Sequence, residues 1–104
     1  MDSSNTILGN CLFSIVGSDS NLLESPLEIK KRYDLHKEQL TTLLESCDKQ
    51  PLFEKFYKFI GFLDMVLEYE KRKDIDTIML AFLRSHVFTR SQSIRCIAHG
   101  SINQ

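Results

Sequence analysis

At 104 residues, with 42% hydrophobic and 26% charged side chains, the chain has the size and make-up of one ordinary globular domain, not of a disordered or fibrous segment. Four glycines and two prolines are too few for the many tight turns of a sandwich or barrel. The net charge of −1 is polarised: residues 1–29 carry only acids, 30–76 balance, and 77–104 carry Arg84, Arg90 and Arg95 with no acid, fewer cations than non-specific nucleic-acid binding usually rests on.

The first apolar segment, 6–16, is ambiguous between a short helix and a strand, and 17–21 is a loop by composition. Ser25-Pro26-Leu27-Glu28 then marks a helix start. Ser25 can cap free backbone amides, Pro26 suits the first helical position, and Glu28 completes a capping box. From 26 to about 47, Ile29, Tyr33, Leu40, Leu43, Leu44 and Cys47 share one face and charged side chains the other. Pro51 ends that helix and starts a second, to about 72. So short a connection predicts an antiparallel hairpin.

Asp74 is expected to cap a third helix over 75–86 that is apolar over most of its circumference, which predicts a central position with Phe82 fully buried. Thr89-Arg-Ser-Gln92 has the form of a second capping box, predicting a separate short helix to about His99 with Gly100 just past its end. The fold class predicted is an all-α bundle of four to five helices in one domain, 1–104. The 26–99 stretch forms its core, and 1–24 remain of uncertain structure.

Three scattered cysteines, Cys11, Cys47 and Cys96, are no disulfide framework and suit a reducing compartment. The N-terminus lacks the basic start of a secretory leader, and no run is long and apolar enough to cross a membrane or ends in a lipidation signal. Cytoplasm or nucleus is therefore the expected location. Cys96 and His99 share a helical face, but the second ligand pair that zinc wants is missing, so no metal is expected. His36, between Tyr33 and Leu40 on an apolar face, is expected at the edge of the core. With no phosphate loop and no acid–base pair beyond surface neighbours, no cofactor, no small-molecule substrate and no enzymatic activity are expected.

Two contact surfaces remain. On the second long helix, Leu52, Phe56, Phe59, Ile60, Leu63, Val66 and Leu67 account for core packing. A further stripe, Phe62, Met65 and Tyr69, runs beside Lys58. Aromatics and methionine at helical spacing suit a protein interface, most simply a homodimer. The competing expectation is that 7–16 covers the stripe within the same chain. At the basic end, 75–98 have the outline of a helix-turn-helix, with Arg90, Gln92, Arg95 and His99 available to nucleic acid. The phrase Phe82-Leu-Arg…Phe88-Thr-Arg-Ser-Gln92…Ile97-Ala98 resembles the opening two helices of winged-helix repressors. A pI of about 6.3 argues against that role. The functional expectation is a regulatory or adaptor protein that binds protein, with nucleic-acid binding as the alternative.

Overall fold

The computed structural model describes residues 3–17, 25–46, 50–72 and 74–102. Cys47 and most of the predicted 17–21 loop lie outside them. Four helices follow in order: α1 (Ser3–Val16), α2 (Pro26–Ser46), α3 (Gln50–Lys71) and α4 (Thr77–Ile102), with no strand among the described residues. The ambiguous N-terminal segment is thus a helix.

Ser25 caps the start of α2. Ser25 Oγ accepts a hydrogen bond from the Leu27 amide at 3.2 Å, and its carbonyl accepts from the Glu28 and Ile29 amides at 3.0 and 3.3 Å. α1 ends on Gly17, whose φ of 88° is left-handed and whose amide returns to the Phe13 carbonyl at 2.8 Å. A side chain at this position would strain the backbone, which explains why glycine closes this helix.

The helices form a ring in which α1 borders α2 and α4, and α3 borders the same two, with little contact across the diagonals. Lys30 of α2 meets Asp64 of α3 at 2.8 Å, while Tyr33, one turn later on α2, meets Phe56, two turns earlier on α3, at 5.9 Å. Higher numbers on one helix meet lower numbers on the other, so α2 and α3 run in opposite directions. The core draws on every helix: Leu8, Leu12 and Ile15 from α1, Ile29 and Leu40 from α2, and Val87, Ile94 and Ala98 from α4. α3 contributes most, with Phe53, Phe56 and Phe59 essentially sealed from water. Phe56 lies 5.9 Å from the Tyr33 ring and 6.4 Å from Phe59, within the range of favourable tilted aromatic pairs.

The C-terminal third differs from expectation in three ways. α4 begins at Thr77, and its cap is Asp76, not Asp74: Asp76 Oδ1 accepts from the Ile78 amide at 2.9 Å. The predicted break at Thr89 does not exist, and Gly100 lies inside the helix. Thr89 Oγ1 donates back to the Ser85 carbonyl at 3.1 Å, and Ser91 Oγ to the Phe88 carbonyl at 2.9 Å. Hydroxyls of a capping box can equally bond to the preceding turn of an unbroken helix.

The third correction is Phe82, which is 67% exposed. Its cause is the length of α1. Arg32 Nε donates to the Ile15 carbonyl at 2.8 Å, so α1 ends against the part of α2 that meets Asp64. α4 reaches that level near His86, since Phe62 packs on His86 at 5.0 Å. The earlier turns of α4 run past the end of α1 and pack chiefly on α3. With one wall instead of two, a helix apolar on several faces leaves some of them outside.

Candidate functional site

The exposed apolar surface is built where α3 and α4 lie side by side. On α3, Phe62 and Tyr69 are half-buried and pack against the core, while Met65 between them is 42% exposed. On α4, Met79 is 50% and Ile78 79% exposed, beside Phe82. His86 joins the two helices. Its ring stands edge-on to Phe62 at 5.0 Å and lies parallel to Phe82 at 6.2 Å. Arg90 closes one end, with its guanidinium 5.2 Å from the Phe62 ring centroid and its Nε 2.9 Å from His86 Nε2. At the other end, Tyr69, Ile75 and Met79 line a shallow concavity together with Arg72, Asp74 and Asp76. The result is one shallow groove, apolar along its middle, with Arg90 at one end and Asp74, Asp76 and Arg72 at the other.

The predicted stripe therefore exists, and residues 7–16 of the same chain do not cover it. α1 packs on α2 and α4, and it is α4 that half-covers Phe62. Lys58 is exposed at the groove's cationic side and pairs with Glu54 at 3.4 Å. Sequence reasoning missed His86, Met79 and Ile78 as members of this surface. The signal was present in the spacing of Phe82, His86 and Arg90, one turn apart each, but it was assigned to a core.

Of the four side chains proposed for nucleic acid, Gln92, Arg95 and His99 fall along one face of the continuous α4, but that face does not present them together to solvent. Arg90 belongs to the groove, Gln92 is half-buried, Arg95 is buried within the bundle, and His99 is exposed. Because α4 is continuous, the turn of a helix-turn-helix is absent, and the resemblance to winged-helix repressors loses its basis. Arg84, at the start of this segment, meets Glu70 across to α3 at 3.2 Å.

Among the described residues no group of three or more potential metal ligands assembles. Cys96 is exposed and Cys11 buried, and burial pushes the Cys11 thiol above its ordinary value by disfavouring the thiolate. His36 is half-buried on α2. A second concavity, lined by Lys55, Phe59, Arg90, Ser93 and Ile94, continues the cationic end of the groove. No helix among the described residues is long and apolar enough to cross a membrane. The chain matches no protein-family model, no curated protein and no solved structure.

Proposed function

We propose that this chain is a non-enzymatic regulatory or adaptor domain that works by binding protein, and that the α3–α4 groove is its contact surface. The observation that carries this reading is the exposure of Phe82 at 67% next to Ile78, Met79 and Met65. Large apolar side chains scattered singly on a surface are ordinary, but contiguous ones of this kind mark interaction sites. Leu35, 79% exposed on α2, is the isolated case and serves as the control. Aromatic and methionine side chains also supply large contact area and adaptable fit, which is why they gather in interface cores.

The test places a photo-crosslinking amino acid at Ile78 in one variant and at Leu35 in another, both irradiated in extract of the native host. Protein adducts at position 78, absent at 35 and lost when Phe82→Asp is added, support the groove. Equal labelling at both positions, or none at 78, overturns it.

A further inference from the structure

We propose that the occupant of the groove is a second copy of this chain, packed antiparallel about a twofold axis that passes beside Phe82. This rests on the groove being a protein-binding surface and adds the identity and register of the partner.

The argument starts from charge. Asp74 and Arg90 lie on either side of Phe82 at opposite ends of the groove, Arg90 about two turns further along α4 and Asp74 ahead of its first residue. Neither forms an ion pair among the described residues: Arg90 meets the Phe62 and His86 rings, and Asp74 lines the concavity beside Tyr69 with Asp76 and with Arg72, whose guanidinium lies on the Tyr69 ring at 4.8 Å. A twofold axis at Phe82 sets the Asp74 end of each copy against the Arg90 end of the other. The two contacts are then equivalent by symmetry, as an isologous interface requires. A parallel arrangement would instead align like charges.

Area agrees with this choice. Taking roughly 150–250 Å² per large side chain, Met65, Ile78, Met79 and Phe82 at their exposures present on the order of 500 Å² per copy. Two copies then cover about 1,000 Å² before the polar rim is added, near the lower bound of a specific interface. Phe82 sits on the axis and packs against its own counterpart, while Ile78 and His86 lie one turn to either side and exchange places across the axis.

The experiment is sedimentation equilibrium of the full chain and its variants across micromolar to millimolar concentration. Wild type is expected to show a concentration-dependent mass rising to twice that of the monomer. Arg90→Asp and Asp74→Arg, each alone, are expected to weaken self-association at least tenfold, because each sets like charges against each other at both contacts. An equimolar mixture of the two single variants is expected to recover association, since each mixed pair restores both opposite-charge contacts. That recovery does not follow from any effect inside one copy. A wild type that stays monomeric overturns the dimer, while the cross-linking at Ile78 independently decides whether the groove binds protein at all. Single variants that associate like wild type, or a mixture that gains nothing over them, overturn the twofold register.

Discussion

Phe82 and Phe56 are the same residue type on adjacent helices, and the bundle treats them in opposite ways. Phe56 is enclosed by Tyr33, Tyr57 and Phe59, so truncation leaves a cavity that those rings cannot fill. Phe56→Ala is expected to cost about 3–5 kcal/mol. Phe82 stands mostly in water in the single copy, so Phe82→Ala is expected to change stability by no more than about 0.5 kcal/mol under dilute conditions. Denaturant unfolding of both variants at low micromolar concentration checks the pair. A large loss from Phe82→Ala there would restore the core position that periodicity suggests. Residue type and spacing identify an apolar side chain, but they do not say whether a neighbouring helix extends far enough to cover it. That information resides in the length of α1, more than sixty positions away.

At the scale of elements, the starts of α2 and α3 were legible because proline and a capping serine act locally. Pro26 and Pro51 lack the amide that an interior helical position must donate, so they place a helix start whatever surrounds them. Thr89 and Gln92 carry a weaker signal. A threonine hydroxyl satisfies an amide ahead or a carbonyl behind, and only the path of the backbone decides which. Between Thr77 and His99 the chain has no proline or glycine, and that lack of a breaker was the better guide to one continuous helix. Arg90→Pro separates the two arrangements. If a helix began just after Thr89, proline would sit in its first position at little cost. In a continuous α4 it removes an interior hydrogen bond and clashes with the preceding turn, for a loss of about 3 kcal/mol or more. A drop in melting temperature and in helical circular dichroism is expected, and an unchanged melt would split α4.

The whole molecule is a rod, 50 × 23 × 20 Å, with a radius of gyration of 14.3 Å over its Cα atoms. α4 is its longest element at 26 residues and α1 its shortest at 14. The mismatch leaves one end of α4 bare and therefore places the contact surface off-centre. The stripe on α3 was legible in the sequence, but its position at one end of a rod depends on how the four lengths are stacked. An off-centre surface has a consequence for the shape of any twofold pair. Phe82 lies about 11 Å from the midpoint of α4 at 1.5 Å per residue, so two antiparallel copies joined there are staggered along the rod. Adding a lateral separation of one short axis, 20 Å, the pair has a radius of gyration of about 21 Å. Two rods fully in register would stay near 17 Å, and two joined end to end would approach 29 Å. Small-angle scattering at concentrations where wild type has doubled its mass is expected to give the intermediate value, with Phe82→Asp holding near that of the single copy. A value near either extreme would mean that the copies meet through some surface other than the groove between α3 and α4.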